Sequence, residues 1–150
     1  MAERTLILVK PDGVQRGLTG EIVRRFEQRG LKMVGLKLMR ANEEILAKHY
    51  AEHVGKGFYE GLLKYLQSGP IVAMVLEGEN AVEATRATIG ATKAHQAAAG
   101  TIRGDLALNV SNNLVHGSAN LDDAAREVPI WFSAEELLDY GRAIDAWIVS

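Results

Sequence analysis

His116 is the residue of this sequence whose chemistry best suits covalent catalysis. It follows an apolar segment and precedes Gly117 and Ser118, a turn that leaves backbone room beside the imidazole ring. A neutral imidazole nitrogen is a good nucleophile near neutral pH and a good leaving group once phosphorylated. Glu127, in a downstream segment that we expect to be helical, is a candidate partner for fixing the tautomer of the ring. The alternative is a half-buried structural histidine at the end of a strand.

Four further residues have side chains that suit phosphate binding: Lys10 ends an apolar run, Arg103 lies in the polar string GTIRGD, and Arg86 and Thr92 precede it. Guanidinium groups fit phosphate oxygens bidentately, so two arginines and a lysine could hold a polyphosphate. Each residue alone is more typical of an ordinary solvated surface group. The sequence contains neither a P-loop motif nor a G-x-G-x-x-G motif. The residues by themselves therefore indicate a possible anion site and leave its ligand open.

The other histidines carry weaker signals. His49 and His53 lie four residues apart, a spacing that places two metal ligands on one helix face. A zinc-protease motif would need Glu directly after the first histidine, and Tyr50 stands there instead. With no third ligand indicated by the sequence, we assign this pair to packing or to the surface and predict no protein metal site. His95 lies in an alanine-rich stretch that we expect to be a loop.

Length and composition limit the class of protein. A chain of 150 residues suits a single domain, and 47% apolar with 24% charged residues is typical of a globular protein. The net charge of −2 provides no basic surface for nucleic acid. The absence of cysteine excludes disulfides and thiolate sites. The apolar run Leu6–Val9 is too short for a signal peptide or membrane helix, so we expect a cytoplasmic location without membrane contact.

Three segments of the chain have the pattern of strands. Residues 4–10 form a short apolar run closed by a predicted turn at Pro11-Asp12-Gly13. Residues 31–39 alternate, with Gly35 as a possible bulge where the phase shifts. Residues 71–77 form a continuous apolar, β-branched run. The sequence thus predicts three strands before residue 80.

Segments whose apolar residues recur at helical spacing lie between these strands and after the third. A first helix contains Ile22 and Phe26 and ends at Gly30. Asn42 is a plausible N-cap for a second helix, and a further helical stretch covers residues 58–66. A helix beginning after Asn80, with that side chain as its cap, should close at Gly90. We expect the segment around Arg103 to be a polar turn.

A fourth strand is needed to complete a sheet, and the region from Leu106 into the string NLVHGS is the candidate. Two placements fit: the alternating LALNV, or NLVHGS itself. Four strands with interleaved helices predict a ferredoxin-like α+β fold, with a four-stranded antiparallel sheet and helices packed on it. Helical segments replace the short link that normally joins the second and third strands.

The string 113–118, Asn-Leu-Val-His-Gly-Ser, resembles the active-site signature N-x-x-H-G-S of nucleoside diphosphate kinases. The similarity extends along nearly the whole chain. RTLILVKPDGVQR resembles the opening strand of the family, HYAEHVGKGFY and GTIRGD resemble internal segments, and REVPIWF with EELLDY resembles the closing segments. These matches occur in order and at the family's spacing, and they favour the catalytic interpretation of His116.

The resemblance implies an enzyme that moves the terminal phosphoryl group of a nucleoside triphosphate to a nucleoside diphosphate by a ping-pong mechanism. In that mechanism His116 is the nucleophile, and Glu127 and Ser118 hold its ring. Lys10 and Tyr50 stabilise the group in transfer. Phosphoryl transfer needs mainly positioning and charge neutralisation, which such a site supplies.

The resemblance also implies how the nucleotide is held. Arg86, Thr92 and Arg103 bind the other phosphates, Asn113 and Lys10 bind the sugar hydroxyl, and Phe58 stacks on the base. Stacking accepts any base, so we expect broad base tolerance. The nucleotide is expected to carry Mg²⁺ through its phosphates, and the chain to assemble as a homo-hexamer or homo-tetramer. The competing class is a ferredoxin-like binding module that has kept the fold without catalysis.

The sequence departs from the family pattern at three places. The stretch 92–99 contains no proline where the family usually has prolines. Ala119 replaces the Asp that usually follows His-Gly-Ser, and Ala134 stands where the family often has proline. None of these changes removes a predicted catalytic group. They bear instead on loop order, subunit contacts and local stability.

Overall fold

The computed structural model describes residues 2–150. Its centre is a four-stranded sheet in the order β2-β3-β1-β4, and every neighbouring pair is antiparallel. The strands are β1 (Ala2–Val9), β2 (Lys32–Met39), β3 (Ile71–Glu79) and β4 (Val115–Gly117). This order, with β3 inserted between β1 and β2, is that of the ferredoxin-like α+β fold, so the predicted fold class is confirmed.

Helices cover both faces of the sheet. The α-helices are α1 (Pro11–Gln15), α2 (Thr19–Gln28), α3 (Glu43–His49), α4 (Tyr59–Leu66), α5 (Ala81–Ile89), α6 (Ile102–Leu106) and α7 (Leu121–Trp131). Short 3₁₀ turns occur at Ala51–His53, Ala94–Gln96, Ala134–Glu136 and Asp145–Trp147. Among residues 2–150, no helix combines the length and the apolar character that crossing a membrane requires.

The burial of β1 explains its uninterrupted apolar sequence. Ile7 and Val9 pack in one cluster with α2 and α5, whereas Leu6 and Leu8 pack in a second cluster with α3, α4 and α7. A strand that is buried on both faces does not need polar residues at alternate positions. Because β1 also pairs with both β3 and β4, it is the element against which the chemically important segments are placed.

Several local signals in the sequence are confirmed. The Asn42 side chain caps α3 by accepting a hydrogen bond from Ile45 N at 2.8 Å. Gly30 follows the end of α2 with φ of +97°, a conformation that favours glycine. The register of β2 against β3 shifts between Met33 and Gly35, which is where the sequence predicted a bulge.

Two predicted turns are short helices. The predicted turn Pro11-Asp12-Gly13 opens the five-residue helix α1, with Pro11 at its first position, where a missing N–H costs nothing. The predicted turn around Arg103 is α6, whose Thr101 cap accepts from Gly104 N at 2.9 Å. The expectation for Asn80 was also wrong in detail: α5 begins where predicted, but Asn80 is left-handed (φ +53°) and makes no side-chain cap.

Of the two placements considered for the fourth strand, NLVHGS is the correct one. β4 spans only three residues and pairs with Ile7–Val9. In the LALNV segment Leu106 ends α6 and residues 107–110 are irregular, with the Leu108 side chain exposed. Backbone pairing with β1, rather than the alternation of apolar residues, decides which segment becomes the strand.

We predict that Ala99→Pro stabilises the protein. Ala98 O accepts a hydrogen bond from Thr101 N at 3.2 Å, and Gly100, the third residue of this turn, has φ of +95°. Ala99 is therefore the second residue of a type II-like turn, the position that proline favours. Since proline restricts the unfolded chain, we expect a gain of about 0.4–1 kcal/mol in the free energy of unfolding, measured by chemical denaturation.

Gly100→Ala provides the opposite control in the same turn. No atom would contact the added methyl group, but the positive φ strains any residue with a Cβ, so this variant should lose stability. A destabilised Ala99→Pro would show that residues 98–101 do not form this turn in solution.

Candidate active site

His116 lies in β4 opposite Leu8, where pairing with β1 fixes its backbone. Its side chain is 20% exposed, and Nε2 lies 3.0 Å from Oε1 of Glu127 in α7. A carboxylate can only accept a hydrogen bond, so Nε2 carries the proton and Nδ1 keeps its lone pair. The structure thus brings the predicted pair together and leaves Nδ1 with the free lone pair that a nucleophile needs.

Ser118 and Glu127 form the support behind the ring. The buried Ser118 hydroxyl donates to Glu127 Oε1 at 2.8 Å and accepts from Leu6 N at 3.2 Å. Burial alone would raise the pKa of the Glu127 carboxyl, but the hydrogen bonds from His116 and Ser118 favour its ionised form, and its pKa is lowered. The carboxylate is therefore ionised at neutral pH and held in one orientation.

The environment of His116 keeps its imidazole neutral. Burial lowers the pKa of His116 below the usual value, and the positive charges of Lys10 and Arg86 lower it further, against the opposing effect of Glu127. A neutral ring has the free lone pair that nucleophilic attack requires. The imidazole of His116 is therefore neutral at neutral pH.

His49 is a member of the site that the sequence did not reveal. Trp131 Nε1 donates to His49 Nδ1 at 2.9 Å, so the ring proton of His49 is on Nε2, which lies 4.0 Å from Glu127 Oε2. The rings of His49 and His116 meet edge to face with centroids 4.8 Å apart. Packing was the correct prediction for His49, but its partner is His116 rather than His53, because only the folded chain brings α3 beside β4.

His53 lies outside this cluster. It stacks on Tyr50 and meets Phe58 edge to face, with ring centroids 5.9 Å and 5.1 Å apart. The potential metal ligands in residues 2–150 that do lie together are His49, His116 and Glu127, with donor atoms all within 4.8 Å. These residues already have protein partners at hydrogen-bonding distance, which account for the cluster.

Lys10 and Asn113 are joined beside His116. Lys10 Nζ donates to Asn113 Oδ1 at 2.8 Å, and Asn113 Nδ2 donates to Thr92 O at 3.3 Å. Burial, with the charge of Arg103, lowers the pKa of Lys10 to about 8, although Asp12 opposes this. Lys10 is therefore cationic at neutral pH but close to losing its proton. Thr92 is exposed at the edge of this network.

Arg103 is a buried cation, only 3% exposed. Its guanidinium group donates to three backbone carbonyls, those of Gly90 (3.2 Å), Asn113 (3.2 Å) and Val115 (2.6 Å). Burial, with the charge of Arg86, lowers the pKa of Arg103 to about 10, which leaves it charged at neutral pH. Arg103 therefore supplies positive charge and also ties together the segments around β4.

Arg86 extends from α5 toward β4, where it donates to Gly117 O at 3.2 Å. It contributes to the same cleft as His116, a space of about 410 Å³ that also contains Tyr50 and Glu127. Burial raises the pKa of the Tyr50 hydroxyl, so this group remains a hydrogen-bond donor across the neutral range. Four of the predicted site residues thus line one cleft.

A second cleft, of about 350 Å³, contains Lys10 and Phe58. Phe58 is 56% exposed, and the exposed Val110 lies on the same cleft. The sequence did not identify Val110, since nothing in an irregular segment indicates which side chain will lie near a distant helix. Lys10 is the residue that links this cleft to His116, whose pKa it lowers.

The backbone immediately before His116 is strained. Leu114 is fully buried with φ of +74°, and Val115 N donates to Asn113 O at 2.9 Å, the pattern of a tight three-residue γ-turn. A left-handed leucine costs about 1–3 kcal/mol and persists only where surrounding contacts enforce it. Such strain concentrates where the orientation of a neighbouring side chain matters.

The fold and this site together define a phosphoryl-transfer enzyme: a neutral histidine is backed by a buried carboxylate and faced by three cations on a ferredoxin-like sheet. Comparison with known proteins makes the class specific. Residues 3–137 match the family model "Nucleoside diphosphate kinase". The chain belongs to the nucleoside diphosphate kinase family, and it is a phosphotransferase that moves phosphoryl groups between nucleotides.

The relatives span bacteria and animals. The chain is 56% identical over 147 residues to nucleoside diphosphate kinase of Thermomicrobium roseum, covering 98% of this chain and 99% of the relative. It is 49% identical to human nucleoside diphosphate kinase A, covering 97% and 96%.

Solved structures agree with these sequence matches. The Halobacterium salinarum enzyme in complex with CDP is 49% identical, with a TM-score of 0.96 and full coverage of both chains. The Borrelia burgdorferi enzyme, a transition-state mimic with vanadate and ADP, is 38% identical, with a TM-score of 0.91 and coverage of 97% and 96%.

We predict that His49 makes the protein less stable in mild acid. Burial lowers the pKa of His49 to about 3. The unfolded chain takes up the proton below about pH 6.5 and the folded chain does not, so stability falls as pH drops from there toward 3. The contribution of His49 to this loss in the free energy of unfolding approaches about 1.4 kcal/mol per pH unit. Chemical denaturation at pH 7, 6 and 5 and constant protein concentration measures it.

The matched variant is His49→Gln, whose amide oxygen can still accept from Trp131 and which cannot titrate. Its loss of stability between pH 7 and 5 should be smaller than that of the wild type. Equal slopes for both proteins would show that His49 does not carry this effect.

Proposed function

We propose that the chain transfers phosphoryl groups by a ping-pong mechanism through a phosphohistidine at His116. The observation that carries the proposal is the hydrogen bond between Nε2 and Glu127, which leaves the lone pair on Nδ1. Nδ1 attacks the terminal phosphorus of a nucleoside triphosphate, and the bond from that phosphorus to its bridging oxygen breaks. The diphosphate leaves. An oxygen of a second nucleoside diphosphate then attacks, the P–N bond breaks, and the lone pair returns to Nδ1.

Charge in the cleft supports this reaction. In the proposal, Arg86, Arg103 and the Thr92 hydroxyl bind the phosphates that stay with the nucleotide, while Lys10 and Tyr50 donate to the group in transfer. Fixed donors of this kind stabilise the charge that spreads over the phosphoryl oxygens. Glu127 balances the positive charge that the ring gains when phosphorylated, and Ser118 keeps that carboxylate in place.

The second cleft offers a place for the nucleoside. Phe58 and Val110 present apolar surfaces there, and Lys10 with Asn113 lies between this cleft and His116. We propose that the base stacks on Phe58 and that Lys10 and Asn113 bind the sugar hydroxyl. Phe58, Lys10 and His116 then mark the path from base to terminal phosphate.

Magnesium would enter with the nucleotide. Near His116, the carboxylates of Glu127 and Asp12 are occupied by protein donors. The residues therefore fit an ion held by phosphate oxygens and water, the usual arrangement for Mg²⁺ on a nucleotide, better than one held in a protein cage. The ion supplies charge neutralisation at the phosphates, and the protein side chains supply orientation.

We propose one domain over residues 1–150 and a homo-oligomer, hexamer or tetramer. β2 is an edge strand, and its Leu36 and Leu38 side chains are 54% and 67% exposed. Exposed apolar residues on an edge strand are an aggregation hazard unless another chain covers them, and a second copy of this chain would do so. Sedimentation measures the number of subunits. We propose a cytoplasmic location for this activity.

We predict that γ-labelled ATP with magnesium labels the protein, and that the label is lost in acid and kept in alkali, because a phosphorus–nitrogen bond on imidazole behaves in this way. His116→Ala should abolish both the label and nucleotide exchange. The measurement is label retention on the denatured protein after acid or base treatment, together with an exchange assay.

The matched control is His95→Ala, which removes an exposed histidine far from the proposed chemistry along the chain. It should label like the wild type. Label or exchange that survives in His116→Ala would overturn the proposed nucleophile, and a wild-type chain that takes up no label would favour a binding module.

We also predict broad base tolerance: ATP, GTP, CTP and UTP should all act as donors with kcat/KM within roughly a hundredfold of one another. On the Phe58 cleft Ser111 and Asn112 are exposed, and the half-buried Lys10 and Tyr65 already bond to Asn113 and Asp12, whereas strong discrimination needs buried polar groups that are free to bind the base. The relatives' complexes with CDP and with ADP support acceptance of pyrimidines and purines. Steady-state kinetics with the four donors test this.

Phe58→Ala should lower kcat/KM for all four nucleotides by similar factors, because stacking does not depend on the hydrogen-bonding edge of the base. A donor preference far beyond a hundredfold, or a Phe58→Ala effect confined to one base, would require a specific contact to a base edge.

A further inference from the structure

Asp12 is a charged residue that the proposed mechanism leaves without a role. Its carboxylate nevertheless bonds to the backbone of the turn that precedes His116. It follows β1 in α1, and one of its oxygens, Oδ2, accepts from Leu114 N at 3.1 Å. Its other oxygen, Oδ1, accepts a short hydrogen bond from the Tyr65 hydroxyl of α4. One carboxylate therefore joins α1 and α4 to the strained turn before His116.

We propose that Asp12 is a positioning residue for phosphoryl transfer: its carboxylate holds the left-handed turn Asn113–Val115 and stabilises the charge of Lys10. The inference rests on the proposed function, since it concerns how His116 and Lys10 are presented to a nucleotide.

The turn is where the positional effect arises. Leu114 is fully buried, so its N–H has no access to water, and Asp12 is the acceptor that the structure gives it. Lys10 N donates to the carbonyl of the same residue at 2.8 Å. If the N–H loses its charged acceptor, relaxation of Leu114 toward ordinary φ moves Asn113 on one side and His116 on the other. A misplacement of about 1 Å can cost roughly a hundredfold in rate.

Tyr65 connects this turn to the nucleoside cleft. Burial, with its hydrogen bond to Asp12, raises the pKa of the Tyr65 hydroxyl, so it remains a donor. Tyr65 lines the same cleft as Phe58 and Lys10. Asp12 thus fixes the wall of that cleft relative to the nucleophile.

The electrostatic effect concerns Lys10, whose pKa is already lowered to about 8 by burial and by Arg103. Asp12 is the carboxylate that opposes this shift. The other charged or titratable groups near Lys10 do not ionise in the same range: Arg103 has a pKa of about 10, burial raises those of Tyr50 and Tyr65, and that of His116 is lowered. Loss of activity just above neutrality should therefore report deprotonation of Lys10.

The test is the pH profile of kcat/KM for phosphoenzyme formation in Asp12→Asn, since this parameter reports the free enzyme's essential groups. The variant keeps size and shape but loses the charge. We expect the rate at pH 7 to fall roughly tenfold to a hundredfold. We also expect the alkaline loss of activity to move down by about one pH unit, because the carboxylate no longer favours protonated Lys10.

Tyr65→Phe is the matched control, because it removes the other hydrogen bond of Asp12 and keeps the charge. Its alkaline limb should coincide with that of the wild type. Asp12→Glu keeps the negative charge, so its alkaline limb should lie closer to that of the wild type than the alkaline limb of Asp12→Asn does. If Asp12→Asn does not fold, Asp12→Ser replaces it with the same two expectations.

An unchanged rate, or a lower rate with an unmoved alkaline limb, would overturn the inference, since a purely structural role predicts no shift of that limb. His116→Ala, assayed alongside, separates the two proposals. A dead His116→Ala with a wild-type-like Asp12→Asn rejects only the role of Asp12, whereas an active His116→Ala rejects the proposed nucleophile.

Discussion

The ionised carboxylate of Glu127, buried beneath the nucleophilic ring, is the constraint on which the rest of the site depends. A buried charge is costly unless its oxygens are paired, and removing one partner leaves it uncompensated. Oε1 accepts from His116 and Ser118, and Oε2 lies 3.6 Å from the Arg126 guanidinium and 4.0 Å from His49. These partners come from β4, the residue after it, α7 and α3. Satisfying one carboxylate therefore fixes how three parts of the chain meet: α7 itself, β4 with Ser118, and α3.

The same reasoning explains why the buried cation Arg103 also has a structural role. Arg103 directs its guanidinium group to the carbonyl of Gly90 and to those of Asn113 and Val115, so it joins the end of α5 to the segment that enters β4. Positive charge is therefore in place before a nucleotide arrives, and little reorganisation is needed during reaction. The short β4 and the left-handed Leu114 can persist because these hydrogen bonds offset their cost.

Sequence reasoning succeeded where the determining interactions are local. The Asn42 cap, the glycine after α2 and the bulge in β2 each depend on neighbouring residues, and the apolar run of β1 records burial on both faces. It failed where contacts with distant residues determine the local structure. The helices α1 and α6 are too short to form by propensity alone. The position of β4 is selected by its pairing with β1. The cluster of His49 with His116 has no local signal. His116 itself was ambiguous from its neighbours, and only the resemblance favoured a catalytic role over a structural one.

The replacement of the family's usual acidic residue by Ala119 has an electrostatic consequence at this site. Ala119 lines the His116 cleft together with Arg86. Within residues 2–150, Arg86 donates to the carbonyl of Gly117 and forms no ion pair. Its positive charge helps to lower the pKa of His116. A chain with a net charge of −2 thus concentrates positive potential where an anionic nucleotide would bind, without any general basic surface.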